Sequence, residues 1–239
     1  RETLRTPDSL VPTLLIPLFF LVVNVGQAAR IFPSSTTDFL NGQGYAAFQV
    51  PVSLLLAASF GSAALYMVEE IEGGYFDKLR ATPISRTSIV LGRLIAEFVK
   101  MIALSAVMTL IALLFGVRIE SGVLGFLVLI LMTALWAVVY SGFMQLIALK
   151  TRSAAATQAG GLVFFPLLFL TPNFVPRDLL TRPMEIAATY NPVTYVMEGL
   201  RSLILDGFDW GALFAAFAVI GAALAIMLVL SIRLINSYD

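Results

Sequence analysis

The side chains that could support catalysis are few in this chain, and their types exclude most kinds of chemistry. The 239 residues contain no Cys and no His. This excludes thiol nucleophiles, imidazole acid–base catalysis, disulfides and metal sites built from Cys or His. Four carboxylates lie close in sequence, but their spacing matches no catalytic template: Glu185, Glu198, Asp206 and Asp209. A membrane-embedded enzyme acting on lipids is therefore the least favoured functional class.

The lysines do not form a phosphate-binding loop, which requires a glycine directly before a Lys–Ser/Thr pair. None of the three lysines follows a glycine, and only Lys150 precedes a hydroxyl residue, Thr151. We therefore expect no ATP binding through such a loop. The 15 basic and 15 acidic residues balance, so the chain also lacks the net positive charge that is typical of nucleic-acid binding.

The elements that carry these side chains are predicted to be membrane helices. Hydrophobic residues make up 59% of the chain and charged residues 13%, with a mean hydropathy of +0.92, whereas a soluble domain has about 25% charged residues. Six uncharged runs approach the roughly 20 residues that a spanning helix needs, and they are apolar on every face. We predict an all-α polytopic membrane protein, a single domain over 1–239 with spans at about 10–29, 46–68, 97–117, 122–148, 154–173 and 210–232.

The distribution of basic residues predicts the orientation of these spans. Six spans place both termini on one side, and cytoplasmic loops carry an excess of Lys and Arg. With the N-terminus inside, ten of the 15 basic residues lie in cytoplasmic segments and five lie outside. We therefore predict that both termini are cytoplasmic. The sequence opens at Arg1 rather than Met, so further residues are expected to precede it in the native protein.

The most charged connection lies between the second and third spans. Residues 69–83 read EEIEGGYFDKLRATP, with a glycine pair that interrupts any preceding helix and a proline that ends the next one. Tyr75, Phe76 and Leu79 would share one helix face at spacings of three and four. We predict a short cytoplasmic helix over 74–82 that docks a protein partner. A helix lying on lipid headgroups is the alternative.

Three charged residues mark the start of the third span. Arg93, Glu97 and Lys100 are spaced by four and three and therefore share a helix face. We predict that this helix projects below the bilayer, with Lys100 extending to the headgroups. A buried ion pair is the alternative.

The connection before the last span is long and mixed in character. Residues 170–209 contain four prolines and alternate apolar with polar stretches. Irregular backbone at membrane depth survives only where protein or water satisfies its polar groups. We predict partly re-entrant helices in the outer leaflet, with an outer loop packed on the spans as the alternative.

The uncharged runs suit an apolar or amphiphilic cargo. Carriers driven by ion gradients commonly place an ionisable residue near the midplane, and these runs contain none. They do supply Phe, Tyr, Asn and Gln, which make apolar walls with a few hydrogen-bonding groups. An ion-coupled secondary transporter made of two inverted three-helix repeats stays open, because the two long connections occupy matching places in the two halves.

Two connections resemble a known family, the membrane subunits of type-2 ABC exporters, and within it the daunorubicin-resistance-like permeases of bacteria. Residues 69–86, EEIEGGYFDKLRATPISR, are similar to the family's acidic, glycine, leucine and Thr-Pro-x-Ser pattern after the second span. Residues 190–201, YNPVTYVMEGLR, resemble its Asn-Pro-Leu-Thr-Tyr stretch before the last span. Two positions depart from the pattern: Pro51-Val52 replaces a frequent Pro-Gly, and residues 171–174, TPNF, replace Ser-Gly-x-Phe.

The resemblance implies a non-catalytic permease in the bacterial cytoplasmic membrane, in contact with lipid. The family's permeases dimerise, with an identical chain or a close paralogue, and pair with two ABC ATPase subunits. ATP and Mg would therefore be bound by the partner, and this chain would bind no cofactor and no metal. The residues that the resemblance assigns to ATPase coupling are Glu70, Gly73, Tyr75, Phe76, Lys78, Leu79, Arg80, Thr82 and Pro83. Those assigned to the substrate path are Phe48, Gln49, Ser53, Phe60, Thr157, Phe164 and Phe165, and those assigned to the outer gate are Asn173, Tyr190, Asn191, Pro192 and Glu198.

Overall fold

The structure is a computed structural model that describes residues 7–60, 68, 73, 86–162 and 164–236. Within these residues every regular element is helical. Two short 3-10 helices cover Asp38–Leu40 and Arg177–Leu179. The α-helices are α1 (Pro7–Ala28), α2 (Tyr45–Ala58), α3 (Arg86–Leu114), α4 (Gly122–Thr151), α5 (Ala154–Leu162), α6 (Phe164–Phe169), α7 (Arg182–Tyr190), α8 (Pro192–Leu205) and α9 (Trp210–Asn236).

Three helices in the described part of the chain are long and apolar enough to cross a membrane: Val90–Leu114, Gly122–Thr151 and Trp210–Leu234. The shortest of them has 25 residues, and a helix of that length extends about 37 Å, more than the roughly 30 Å of hydrocarbon. Shorter apolar helices cover Thr13–Ala28, Tyr45–Ala58 and Ala154–Phe169. The all-α membrane fold is confirmed, while the six spans and the orientation of the termini stay predictions.

The predicted third span, 97–117, lies mostly within a longer helix. Helix α3 starts at Arg86, so Glu97 and Lys100 lie well inside it, on the face that also buries Leu94 and Met101. The side chains of Glu97 and Lys100 are 4% and 9% exposed, and their Oε1 and Nζ atoms are 2.7 Å apart. The prediction that Lys100 extends to the headgroups is wrong, because its ammonium group is buried against the carboxylate of Glu97. The alternative, a buried ion pair, is what the structure contains.

Helix α4 is at the centre of the packing and contacts α2, α3, α5, α8 and α9. Helix α8 lies between α2, α4 and α9, and most of its side chains are buried. Gly199 allows the close approach of α8 to α9, since a Cβ at this position would lie 2.7 Å from the Cβ of Ala216. Helix α8 is therefore an interior helix of the membrane domain rather than a surface one.

The ends of α8 follow directly from the local sequence. Pro192 occupies the first turn, and the Asn191 side chain accepts a hydrogen bond from the N–H of Val193 at 3.0 Å. Proline and an asparagine cap are both favourable at a helix start. The helix ends at Leu205, followed by Gly207 with φ of +91°, a left-handed conformation that glycine adopts readily.

Candidate substrate cleft and outer gate

The fifth predicted span gives way to an irregular stretch, which we call the outer segment and define as residues 170–181. Its backbone carbonyls at three consecutive positions each accept a hydrogen bond from a side chain on α2 or α8. The pairs are Arg201 Nη2 to Pro172 O at 3.0 Å, Gln49 Nε2 to Asn173 O at 2.8 Å, and Tyr45 Oη to Phe174 O at 2.8 Å.

These contacts explain how a non-helical backbone is tolerated at this position. A buried carbonyl without a partner costs free energy, and apolar surroundings supply no water to satisfy it. Pro172 and Asn173 are buried, so their carbonyls need protein donors. Tyr45 and Gln49 lie one turn apart on α2 and are themselves buried, which directs both side chains at the outer segment.

Gln49 connects α1, α2 and the outer segment. Its Nε2 also donates to Tyr45 Oη at 2.9 Å, and its Oε1 accepts from Asn24 Nδ2 at 3.3 Å. Gln49 is 0% exposed. A side-chain amide offers two N–H donors and one acceptor oxygen, so all of its hydrogen-bonding groups are engaged.

Arg201 is a buried cation, and few contacts offset the cost of burying its charge. It is 7% exposed, and its guanidinium carbon lies 3.5 Å from the centre of the Phe48 ring. Within the part of the chain that the structure describes, it makes no ion pair and its Nε has no hydrogen-bond partner. Burial lowers the pKa of Arg201 to about 9, against a smaller upward effect of Glu198. The side chain therefore stays charged at neutral pH.

A second arginine, which lies on the outer segment itself, binds a carboxylate on α8. Arg177 donates to the Glu198 carboxylate through Nε at 3.0 Å and through Nη2 at 2.6 Å. The guanidinium also lies 5.1 Å from the centre of the Tyr195 ring. Both groups are about 30% exposed. Two-pronged pairs of this type are stronger and more directional than single contacts.

The other end of α8 is held by a second run of three carbonyls. Its last three carbonyls accept hydrogen bonds from side chains of two loops: Ser121 Oγ to Leu203 O at 2.6 Å, Gln43 Nε2 to Ile204 O at 3.0 Å, and Asn41 Nδ2 to Leu205 O at 3.1 Å. The last carbonyls of a helix have no partner within it. These loop side chains therefore fix where α8 ends.

A cleft of about 150 Å³ opens between α1, α2 and the outer segment. Its walls are largely apolar, and three of its residues, Asn24, Ser53 and Asn173, carry polar side chains. No charged residue is among those that line it: Phe20, Asn24, Val52, Ser53, Leu56, Leu168, Phe169, Asn173 and Phe174. The cleft suits a ring or an aliphatic chain that carries a hydrogen-bonding group.

Residues 1–205 match the family described as ABC-2 type transporter. This chain belongs to the ABC-2 type transporter family. The ABC-2 chain is 23% identical over 199 residues to the daunorubicin resistance ABC transporter permease protein DrrB1 of Streptomyces coeruleorubidus, covering 83% of this chain and 69% of that protein. It is 22% identical over 160 residues to the probable doxorubicin resistance ABC transporter permease protein DrrC of Mycobacterium tuberculosis, covering 66% and 58%. It is 28% identical over 210 residues to the putative transport permease ycf38 of Cyanophora paradoxa, covering 83% and 69%.

The resemblance drawn from the sequence is confirmed, and the matches span between 58% and 69% of these relatives' own lengths. Of the predicted ATPase-coupling residues in the ABC-2 chain, only Gly73 belongs to the described residues, where it lies in a turn. The other eight lie outside them: Glu70, Tyr75, Phe76, Lys78, Leu79, Arg80, Thr82 and Pro83.

The predicted path residues of the ABC-2 chain fall into two groups. Ser53 lines the cleft, and three phenylalanines share a small neighbouring cavity: Phe60, Phe164 and Phe165. Phe48, Gln49 and Thr157 are each 0% exposed and make internal contacts instead. Their assignment to a path stays a prediction.

Three of the five predicted gate residues belong to the outer segment or contact it. Asn173 belongs to that segment, Asn191 Nδ2 donates to the carbonyl of Leu170, and Glu198 holds Arg177. Tyr190, by contrast, is 84% exposed, and Pro192 serves the first turn of α8. Sequence reasoning missed the donors Tyr45, Arg177 and Arg201. The signal for Arg201 was present, since an arginine within the apolar stretch VMEGLRSLIL is a functional-site candidate.

Proposed function

We propose that this chain is the transmembrane subunit of an ATP-driven exporter that moves hydrophobic or amphiphilic compounds, drug-like or lipid-like, out of the cell. The observation that carries the proposal is the ABC-2 family match over residues 1–205. The names of the relatives DrrB1 and DrrC, which refer to daunorubicin and doxorubicin resistance of those proteins, favour an amphiphilic cargo. The chain itself is non-catalytic. ATP and Mg bind to two separate ABC ATPase subunits that pair with a dimer of permeases.

The cleft between α1, α2 and the outer segment supports this class of cargo. A hydrated ion would need carboxylates or a dense set of carbonyls, whereas the cleft offers apolar walls with Asn24, Ser53 and Asn173. Its volume of about 150 Å³ is below the roughly 300–1,000 Å³ of sites that enclose a whole drug-sized ligand. We therefore expect this chain to hold one ring or chain of the cargo, with a second permease chain completing the path.

Purification of the complex tests the first part of the proposal. In a mild detergent, an ABC ATPase subunit should copurify with this chain, and the reconstituted complex should show ATPase activity that responds to amphiphiles and is indifferent to ion gradients. Transport that persists without ATP and collapses with a proton or sodium gradient would instead favour the ion-coupled secondary transporter.

Two substitutions test the docking role of residues 74–82. Leu79→Asp places a charge on the predicted apolar face, so ATPase association and transport should be lost while the chain still inserts. Thr151→Asp, on another predicted cytoplasmic connection and exposed, is the matched control and should retain both. Equal behaviour of the two variants contradicts the docking assignment.

The orientation in the bacterial cytoplasmic membrane is testable without background labelling, because the chain has no cysteine. Thr181 is exposed at the start of α7. In intact cells, a cysteine introduced by Thr181→Cys should react with an impermeant thiol reagent, and one introduced by Ser85→Cys should not. The reverse pattern would invert the topology.

A further inference from the structure

Two arginine contacts join the outer segment to α8, and they run in opposite directions. Arg177 of the outer segment reaches Glu198 of α8, while Arg201 of α8 reaches the carbonyl of Pro172 in the outer segment. Glu198 and Arg201 are three positions apart on α8. Residues at this spacing are neighbours on a helix surface and can form an ion pair.

In the observed arrangement each of the two α8 charges depends on the outer segment for its polar partner. Glu198 is paired with Arg177, and the hydrogen bond from Arg201 Nη2 goes to Pro172 O. Lifting the outer segment would leave the buried Arg201 guanidinium without its hydrogen-bond acceptor, which is costly. It would also remove the ion pair of the Glu198 carboxylate, which is about 30% exposed. Both costs fall if the two side chains turn toward each other.

From this arrangement we infer that Glu198 exchanges partners: it pairs with Arg177 while the outer segment is closed, and with Arg201 when the segment lifts away from α8. This inference rests on the proposed function, because the lifting would open the cleft outward to release cargo. Such an exchange makes the segment a two-state element whose open form is stabilised by a contact that the closed form lacks.

The neutral donors fit the same scheme. Gln49 and Tyr45 release the carbonyls of Asn173 and Phe174 when the segment lifts, but the hydrogen bond from Gln49 Nε2 to Tyr45 Oη is already formed at 2.9 Å. Both side chains therefore keep a partner in the open form. Among the side chains on α2 and α8 that hold the segment, Tyr45 and Gln49 already contact each other, whereas Glu198 and Arg201 lie three positions apart and would pair only in the open form.

Ser53 provides a reporter for the position of the segment. It is 3% exposed and lines the cleft beside Asn173 and Phe174, and Ser53→Cys is a conservative change in a chain without other cysteines. The measurement is the rate at which S53C reacts with a membrane-impermeant maleimide, with the full chain in lipid nanodiscs. It requires neither ATP nor an ATPase subunit.

The exchange predicts that a second substitution reverses the effect of the first on the labelling rate, which a simple clamp between Arg177 and Glu198 does not predict. In the S53C background, Arg177→Gln should accelerate labelling about fivefold, since the closed form loses a two-pronged pair and Glu198 is free to join Arg201. Adding Glu198→Gln to Arg177→Gln should slow labelling again, because the open form then loses its own ion pair. If the double variant labels as fast as Arg177→Gln or faster, or if Arg177→Gln labels no faster than S53C alone, the inference is wrong.

A matched pair on α7 controls for loss of charge. Arg182 and Glu185 form an ion pair at 3.0 Å that does not involve α8, and their side chains are 78% and 35% exposed. In the same S53C background, Arg182→Gln with and without Glu185→Gln should leave the labelling rate unchanged. Monodisperse elution and an unchanged unfolding midpoint establish that each variant is folded.

A charge reversal provides a second test if either glutamine variant fails to fold. Arg177→Glu combined with Glu198→Arg keeps the closed pair but sets two arginines three positions apart on α8. Labelling should be no faster than in S53C alone, and a rate like that expected of Arg177→Gln would overturn the exchange. Failure of the proposed function would appear separately, as an absent ATPase partner in the purified complex, and leaves these labelling rates unaffected.

Discussion

Two runs of three consecutive carbonyls are satisfied by side chains, and they differ in how the donors are themselves held. The first run is in the outer segment, at residues 172–174, and its donors lie on α2 and α8. The second is the end of α8, at residues 203–205, and its donors come from loops. In the second run, backbone N–H groups reinforce the side chains: Glu120 N donates to Ile204 O and Ser121 N donates to Leu203 O, each at 3.2 Å.

This difference separates a fixed anchor from a releasable contact. Gln43 is held from both sides, since its Oε1 accepts from Arg118 N at 2.9 Å while its Nε2 donates to Ile204 O. Moving that loop would break several hydrogen bonds at once. Among the donors to the outer segment, Gln49 and Tyr45 already contact each other on α2, and Arg201 has Glu198 three positions away on α8. Under the proposed exchange the segment can therefore leave without leaving these side chains unpartnered. We therefore expect changes at the end of α8 to lower stability and changes at the outer segment to alter opening.

The largest effect is expected where α8 itself is positioned against α9. A Cβ at Gly199 would lie 2.7 Å from the Cβ of Ala216 and 3.4 Å from the carbonyl oxygen of Ala212, so Gly199→Val forces the helices apart. Overpacking of this kind costs about 1–3 kcal/mol, and here both carbonyl runs depend on α8. The unfolding midpoint in detergent should fall more than for any other variant.

Gly221→Val on α9 is the matched control for this substitution. A Cβ at Gly221 would meet nothing within 4 Å, so the same side chain is added without a clash. A similar loss of stability in both variants would show that the helix propensity of valine, rather than the approach of α8 to α9, explains the effect.

Gln43→Leu should give the next largest loss of stability. It removes the donor for the Ile204 carbonyl and the acceptor for the Arg118 N–H in a residue that is 8% exposed. A buried polar group left without a partner costs about 1–3 kcal/mol. The unfolding midpoint should therefore fall, while the labelling rate of S53C stays unchanged. The exposed Gln27→Leu is the control, and faster labelling in Gln43→Leu would remove the distinction between the two runs.

Tyr45→Phe should affect opening more than stability. It removes the donor to the Phe174 carbonyl and the acceptor for Gln49 Nε2, a loss of about 1 kcal/mol for a typical hydrogen bond. Labelling of S53C should become faster because the closed form is selectively weakened. Tyr195→Phe also deletes a hydroxyl that donates to a carbonyl, that of Thr189 at 2.8 Å, but outside the outer segment. Labelling should not change in that control, because phenylalanine keeps the ring that lies against Arg177.

The sequence predicts the elements of this molecule better than the contacts between them. Long apolar runs predict helices whatever they pack against, which is why the runs predicted as the fourth and sixth spans, 122–148 and 210–232, lie within helices α4 and α9. The charges of Arg93, Glu97 and Lys100 predict a helix that projects below the bilayer with Lys100 at the headgroups, and the burial of Lys100 does not follow from that pattern. A charge on a membrane helix can instead be buried against protein, as the pair of Glu97 with Lys100 is.

The candidate gate illustrates the same limit. An Asn-Pro pair predicts the start of a helix from local chemistry, and α8 begins there. The carbonyls of residues 172–174 accept hydrogen bonds from side chains that are distant in sequence. Tyr45 lies 129 positions from its acceptor, Gln49 lies 124 positions away and Arg201 lies 29 positions away. No periodicity or motif in a single sequence carries such pairings, because they arise from the packing of α2 and α8.

The smallest effect should come from the charge at the fixed end of α8. Asn41 Nδ2 donates to Asp206 Oδ1 at 2.6 Å, and burial raises the pKa of Asp206 above its ordinary value despite that hydrogen bond. Since the folded state favours the protonated carboxyl, Asp206 stabilises the fold fully below its unfolded pKa of about 4, and this contribution is lost as the pH rises through its higher folded pKa.

Asp206→Asn keeps the acceptor oxygen and removes the titration, so the unfolding midpoint should change less with pH above about 4 than in the wild type. If the unfolding midpoint of Asp206→Asn depends on pH as that of the wild type does, neutral hydrogen bonds alone hold this end of α8. This end of α8 would then differ still more clearly from the outer segment, which is held by charged contacts.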